Sequence, residues 1–380
     1  MCHKPFQPVA GSSSRFRVRH GQVVVNQTRW SPFEDRTLAS RNAPTKNFVD
    51  GLHLLACSDV DGCATSSIAI YIYLFNDNMR DSSFVNSDGD FLIVPQAGSL
   101  LVRTEFGRLR VDPNEICVVQ QGMNFSIDIL DRKSNSSELA RGYILEVRGN
   151  HFELPNLGPI GANGLANPRD FQVPTAHVEP DSPSGGHKVF FKMQNELFCA
   201  VKLHSPYDVA AWFGNYTPFK YNLDNFVTMN SVSVDHPDPS IFTVLTCPSH
   251  GRPGTALADF VIFPPRWECA SGTFRPPYFH RNCMTEFMGL IKGQYQAKSG
   301  KFAPGGASLH QAMVPHGPDA GCFKVATEQD TSEPKRVADG TMAFMFETSL
   351  SLRLTEWALE QENDDEYYKC WEKFNDMTVS

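Results

Sequence analysis

The sequence predicts a mainly β protein, a sandwich or barrel of antiparallel strands with few short helices. Short runs of β-branched and aromatic residues recur about every ten residues, and glycine, proline and asparagine separate them, which is typical of all-β proteins. The 380 residues are 41% hydrophobic and 20% charged, the composition of an ordinary globular protein. A chain of this length is large enough for one big β architecture or for two domains.

In the first half of the chain, strands are predicted for VVVNQT, SIAIYIYLF, GDFLIVPQAG, SLLVRTEFG, NEICVVQQG, NFSIDIL and RGYILEV. Between residues 89 and 127, glycines and a proline separate these runs, so we expect a series of hairpins that closes on itself. This segment contains no histidine, and we expect no metal in this barrel. A helix is predicted over LHSPYDVAAWFGN, residues 203–215, because a Ser-Pro pair precedes apolar residues at helical spacing.

In the second half, the β pattern returns in NFVTMNSVSV, SIFTVLT, ADFVIFPPRW, YFHRNCMTEFMGL and GTMAFMFETSLSLRL. The final run, WALEQENDDEYYKCWEKF, is acidic and aromatic and predicts a helix at the surface. We therefore expect two β-rich domains, residues 1–225 and residues 226–380.

Charge and cysteine usage exclude several classes of protein. The formal net charge of −8, with no basic run, argues against nucleic acid as a partner. The longest apolar run, IAIYIYLF, is far shorter than the roughly 20 residues of a membrane span, and the N-terminus lacks the apolar core of a signal peptide, so a cytoplasmic location is predicted. The ten cysteines are dispersed without a CxxC pair, which indicates reduced, mostly buried thiols.

The strongest compositional signal is a concentration of histidine late in the chain. Five of the twelve histidines are His236, His250, His280, His310 and His316. His280 and Glu286 are six positions apart, which places them on largely opposed faces of a helix because each residue turns about 100°. In a straight strand they would be about 20 Å apart at about 3.3 Å per residue. A shared site therefore requires a β segment that ends, bends or bulges between them.

Two histidines and one carboxylate form the facial triad of non-haem Fe(II), which leaves open positions for oxygen and substrate. His280 and Glu286 supply two ligands of such a triad. For the third, the turn MVPHGPDA favours His316 because its prolines hold the chain rigidly, and His310 is the competitor.

Simpler interpretations of these residues remain open at this point. Glu286 could pair with Arg281, and His236 could cap a turn. Cys283 is interpreted as a small buried hydrophobic residue and is left out of the site.

Eight longer runs resemble the homogentisate 1,2-dioxygenase family and cover nearly the whole chain: NSDGDFLIVPQAG, LGPIGANGLANPRDF, WFGNYTPFKYNLDNF, DHPDPSIFTVLT, ADFVIFPPRW, FRPPYFHRNCMTEFMGLIKGQYQAK, GGASLHQAMVPHGPDA and DGTMAFMFETSLSL. The resemblance implies a cupin-type β-barrel or jelly-roll fold. The first domain would hold a metal-free cupin-like barrel, and the second would be the catalytic domain with the iron site. Family members usually begin with a further segment ahead of the motif that appears here as HKPF, so we expect a shortened chain.

The resemblance also implies roles for individual residues. The implied Fe(II) ligands are His280, Glu286 and His316. The proton acceptor would be His236, and Tyr295 would contact the substrate together with His316. His310 would lie beside the ligands.

The implied reaction uses O2 to cleave homogentisate to 4-maleylacetoacetate, in tyrosine and phenylalanine catabolism. The family also implies a homo-hexamer built as a dimer of trimers. Two alternatives are a cupin dioxygenase for another hydroquinone, such as gentisate, and a catalytically silent assembly subunit or binding protein of the same fold.

Overall fold

The computed structural model describes residues 7–9, 21–38, 44–130, 139–156, 166–181, 185–207, 216–228, 239–269, 278–298 and 300–376. Within these ranges, sheets of seven, eight and six strands and a separate two-stranded sheet make up most of the regular structure. The prediction of a mainly β fold with few short helices is confirmed.

The strands of the described residues are, in chain order, β1 (Gln7–Pro8), β2 (Gln22–Val23), β3 (Thr28–Trp30), β4 (Leu52–Cys57), β5 (Ser67–Phe75), β6 (Ser82–Asn86), β7 (Asp90–Ala97), β8 (Leu100–Thr104), β9 (Gly107–Val111), β10 (Glu115–Val119), β11 (Asn124–Ile129), β12 (Ala140–Arg148), β13 (His187–Met193), β14 (Glu196–Lys202), β15 (Phe219–Asn222), β16 (Thr243–Pro248), β17 (Ala256–Phe263), β18 (Arg266–Glu268), β19 (Thr285–Lys292), β20 (Ala307–His310), β21 (Lys335–Val337), β22 (Met342–Thr348) and β23 (Arg353–Leu354). The α-helices are α1 (Ala320–Glu328) and α2 (Glu356–Glu360), and 3₁₀ segments span Pro168–Asp170, Leu223–Asn225, Pro239–Phe242 and Tyr367–Asp376.

The seven-stranded sheet has the order β1-β14-β13-β6-β11-β8-β9, and the eight-stranded sheet has the order β15-β10-β7-β12-β5-β4-β23-β2. From β7 to β12 the chain therefore passes back and forth between these two sheets, whose facing side chains share one core. This alternation between facing sheets is the arrangement of a jelly roll. A series of hairpins was predicted between residues 89 and 127. Of the described strands in that segment, only β8 and β9 pair as sequential neighbours in a hairpin.

The eight-stranded sheet is buried on both faces, because its second face packs against the six-stranded sheet of order β16-β17-β22-β19-β20-β3. In β5, Tyr71 and Tyr73 face the first core, whereas Ile70 and Ile72 face the second. A strand covered on both faces has an uninterrupted apolar sequence, which explains why SIAIYIYLF shows no alternation. The outer face of the six-stranded sheet carries a third, smaller cluster.

The two halves of the chain exchange short strands. β3, near the N-terminus, pairs with β20 in the six-stranded sheet, and β23, near the C-terminus, pairs with β4 in the eight-stranded sheet. The division into domains at residue 225 stays a prediction.

The helix predicted over 203–215 falls mostly on residues outside the described ranges.

Two other expectations need correction. The tail contains helical segments as predicted, but Tyr367 and Trp371 are buried, so the surface placement is wrong for these two side chains. All nine cysteines of the described residues are free thiols, yet only Cys57, Cys117 and Cys247 are buried, and Cys283 is exposed.

No helix in the described ranges combines the length and the hydrophobicity that crossing a bilayer requires.

Candidate metal centre

The stretch from His280 to Glu286 bends as the residue spacing requires. His280 forms an isolated β-bridge, residues 281–284 belong to no strand, and β19 begins at Thr285. The bridge joins His280 to His316 through two main-chain hydrogen bonds, with N–O distances of 2.7 and 2.8 Å. The predicted break in the strand is confirmed, and the bridge ties two segments of the chain together at this point.

Glu286 lies in the interior of the six-stranded sheet. β19 pairs with β22 on one side and with β20 on the other. The register places His310 directly opposite Glu286 on β20, and Glu347 opposite it on β22. Because paired residues point to the same face of a sheet, these side chains lie on the outer face together.

The side chains of His280, Glu286 and His316 converge, with one ligand atom from each lying within 4.8 Å of the others. Two adjacent ligands of one ion with bonds near 2.1 Å lie about 3 Å apart. The three side chains would therefore draw together by up to about 2 Å to complete a three-ligand site.

Hydrogen bonds orient both imidazoles toward this centre. Nδ1 of His316 bonds to the carbonyl of Val314 at 2.9 Å, and Nδ1 of His280 bonds to the carbonyl of Tyr278. A carbonyl can only accept, so Nδ1 carries the proton in each ring. Nε2 is then left with its lone pair directed at the centre, as in metal-ligating histidines.

The carboxylate and the His316 nitrogen fit a bound cation. Nε2 of His316 lies 2.9 Å from Oε2 of Glu286, but the two are not aligned as a hydrogen bond, and this nitrogen is buried without a hydrogen-bond partner. Oε1 of Glu286 accepts from Asn282 at 2.7 Å. Burial raises the pKa of Glu286, whereas positive charge at His316 and the hydrogen bond from Asn282 lower it, and the lowering prevails. One carboxylate and two imidazoles that turn Nε2 toward it are the donor set of a non-haem Fe(II) site.

A cavity of about 300 Å³ opens onto the three side chains, at the lower end of the range for small-molecule sites. Its lining includes Tyr295 and His310. Burial raises the pKa of Tyr295, so its hydroxyl keeps its proton and can donate a hydrogen bond. The structure thus brings together five of the predicted site residues, whereas His236 lies outside the described residues.

The sequence matches two family models, homogentisate 1,2-dioxygenase N-terminal over residues 1–223 and homogentisate 1,2-dioxygenase C-terminal over residues 224–378. The chain belongs to the homogentisate 1,2-dioxygenase family. Homogentisate 1,2-dioxygenases of Homo sapiens and Mus musculus are 56% and 55% identical to it, each over 97% of this chain and 81% of the relative. That of Drosophila melanogaster is 54% identical over 97% of this chain and 82% of the relative.

Sequence reasoning missed two side chains at the centre of this homogentisate 1,2-dioxygenase family member. Asn282 bonds the carboxylate of Glu286, and its place in the bend, four residues before a candidate ligand, was a usable signal. Lys298 is 5% exposed and lines the cavity. Lys298 is one of two lysines in KGQYQAK, and nothing in that motif signals its burial, since lysine is rarely buried.

Proposed function

We propose that this chain is an Fe(II)-dependent dioxygenase that cleaves the ring of homogentisate with O2, giving 4-maleylacetoacetate in tyrosine and phenylalanine catabolism. The observation that carries the proposal is the convergence of His280, Glu286 and His316 on one cavity, in a member of the family of that name. Both atoms of O2 enter the product.

The three converging side chains would hold the iron. When bound, iron supplies a Lewis acid and adjacent positions at which the phenol and O2 can meet. The neutral imidazoles and the single carboxylate leave part of the ion's charge uncompensated, which favours an anionic phenolate over a neutral phenol.

Residues other than the three ligands would deprotonate the substrate and orient it. A phenol has an ordinary pKa near 10, so its deprotonation at neutral pH requires a base, and we assign that role to His236. Tyr295 donates a hydrogen bond to the bound substrate, because burial keeps its hydroxyl protonated. Phe263, Met288 and Met345 line the same cavity and exclude water from the reacting ring.

The reaction is tested by metal removal and reloading. Protein freed of metal with a chelator and reloaded anaerobically with Fe(II) is expected to consume O2 only when homogentisate is added, and Zn(II)-loaded protein is the matched control. No homogentisate-dependent O2 uptake by the Fe(II) protein would contradict the proposal. Faster uptake with gentisate would favour the other hydroquinone, and iron well below one per chain would favour a silent subunit.

The proposed base is tested by His236→Gln. Glutamine cannot accept the proton but leaves the three ligands intact, so we expect full iron content and a rate at least about 100-fold lower, the usual contribution of a general base. Loss of iron from this variant would identify His236 as a ligand instead.

A homo-hexamer of two trimers and a cytoplasmic location are also proposals, supported by the family resemblance and by the sequence. Native mass spectrometry tests the first and cell fractionation tests the second.

A further inference from the structure

We infer that Lys298, Tyr367 and Trp371 are positioning residues that hold the ligand His316 in place, so that the C-terminal 3₁₀ segment is part of the metal centre. The inference rests on the metal site of the proposed function. None of the three residues was singled out by the sequence, and the predicted surface helix gave no reason to connect the tail with the iron.

Two donors converge on the main chain directly after His316. Nζ of Lys298 donates to the carbonyl of Gly317 at 2.8 Å. Nε1 of Trp371 donates to the carbonyls of Gly317 and Pro318, at 3.3 and 3.2 Å. His316 lies in no strand and has only its bridge to His280 as regular main-chain pairing, so these donors restrain the turn that carries the ligand.

A third contact supports the ring of His316 from the side. The imidazole of His310 lies nearly parallel to it, with ring centroids 4.5 Å apart and an interplanar angle of 12°. Nε2 of His310 is in turn 3.1 Å from the hydroxyl of Tyr367. Tyr367 thereby fixes the ring against which the ligand stacks.

Among the described residues, Lys298 makes no salt bridge; its Nζ donates to the carbonyl of Gly317, and the charges of Asp319 and Glu286 favour its charged form from a longer distance. Nζ also lies over the rings of Tyr367 and Trp371, 5.1 and 4.8 Å from their centroids. Burying an ammonium group is costly, and cation–π contacts and one carbonyl compensate it here. The lysine therefore links the tail to the turn of His316.

The consequence for metal binding follows from how ligands are oriented. Loss of a hydrogen-bonded partner behind the ligands typically weakens metal binding by about 10-fold to 100-fold, because the free site no longer holds the ligand in the bound geometry. We expect the same of these residues, although none of them offers a ligand atom to the ion.

Conservative variants test this separately from catalysis. Trp371→Phe removes the Nε1–H and keeps a ring, and Tyr367→Phe removes only the hydroxyl. The matched controls are Trp267→Phe and Tyr368→Phe, whose side chains are 54% and 52% exposed. The dissociation constant for Fe(II) is measured anaerobically against a competing chelator, without homogentisate, and the absorption spectrum of the Co(II) protein reports the ligand geometry.

We expect the Fe(II) dissociation constant to rise about 10-fold in Trp371→Phe and in Tyr367→Phe, with an altered Co(II) spectrum, and to stay at the wild-type value in both controls. Wild-type constants and spectra in both variants would overturn the inference. Thermal unfolding of the metal-free proteins checks the fold. If Trp371→Phe unfolds at a lower temperature than the wild type, the Fe(II) dissociation constants of Lys298→Met and of the milder Tyr367→Phe decide whether the inference holds.

Failure of this inference is distinguishable from failure of the proposed reaction. A wild-type protein that binds Fe(II) without consuming O2 contradicts the reaction and still allows the affinities to be compared. A wild-type protein that turns over homogentisate while the variants bind Fe(II) normally contradicts only the positioning roles.

Discussion

Replacing Glu146 by glutamine should strongly destabilise the core between the seven-stranded and eight-stranded sheets. The Glu146 carboxylate is fully buried and accepts hydrogen bonds from Lys192 at 2.7 Å, Asn86 at 2.8 Å and Tyr71 at 2.9 Å. Burial alone would raise the pKa of Glu146, but the charges of Arg148 and Lys192 outweigh it and lower that pKa to about 2. Because Lys192 is on β13 and Glu146 is on β12, the ion pair ties the two sheets together.

The size of the effect follows from the pKa difference. The pKa of Glu146 falls from an ordinary value of 4.5 to about 2 on folding, and each pKa unit is worth about 1.4 kcal/mol, so the charged form contributes about 3 kcal/mol. Removing one partner of a buried ion pair costs about 3 to 5 kcal/mol in other proteins, which agrees. Because the folded pKa is depressed, this stabilisation is complete above about pH 4.5 and is lost as the pH falls toward 2.

Urea unfolding of the wild type and of Glu146→Gln, at pH 7 and at steps below pH 4.5, measures this difference. We expect a loss of about 3 kcal/mol at pH 7 that shrinks by about 1 kcal/mol per pH unit in the acid range. The control is Glu328→Gln, which removes an exposed pair with Lys324 at 4.0 Å and should leave stability unchanged. A loss below about 1 kcal/mol at pH 7, or a loss that does not change with pH, would refute the reasoning.

Three further substitutions have defined outcomes. His280→Ala removes one of the three ligands, so the iron content by atomic emission should fall to background while circular dichroism stays native; retained iron would remove His280 from the site. Tyr295→Phe should raise KM for homogentisate about 10-fold, the cost of a hydrogen bond to a charged group, without lowering iron content, and an unchanged KM in O2-electrode kinetics would contradict its contact with substrate. Gly89→Ala would place Cβ 2.0 Å from the carbonyl oxygen of Val147, a main-chain atom that cannot rotate away. We expect the free energy of unfolding to fall by about 1 to 3 kcal/mol, measured by thermal unfolding, and a wild-type melting temperature would show that the strand can shift.

Backbone geometry alone predicted the bend between His280 and Glu286, because a six-residue spacing admits few solutions. It could not decide between His310 and His316, since the answer depends on strand register, which single-sequence patterns do not give. The register places His310 opposite Glu286, so both imidazoles reach the centre. They differ in their partners: Nε2 of His310 faces Tyr367, whereas Nε2 of His316 has no hydrogen-bond partner.

The burial of one face of the tail could also have been predicted from the sequence. Tyr367, Trp371 and Phe374 recur at helical spacing of four and three residues, the pattern of a segment with one apolar face. The acidic residues that precede them, from Glu360 to Glu366, dominate the composition of the tail and led to the prediction of a surface helix. What the sequence could not supply was the surface that this face covers, because Gly317 lies 50 residues away from Tyr367 and meets the tail only in the folded chain.

The ligands of the metal centre are held in two ways, by pairing within the sheet and by a main-chain bridge outside it. Variants that affect one or the other should differ in whether they lower stability or metal affinity. Glu286 is held by hydrogen bonds to strands on both sides, over a core in which Phe287 is fully buried. His280 and His316 lie outside the strands, and their main chains are bridged to each other, so the two imidazoles are held independently of the sheet that carries the carboxylate. Truncation of Phe287 should therefore lower the free energy of unfolding, whereas loss of the Trp371 donor should weaken metal binding with little change in global stability.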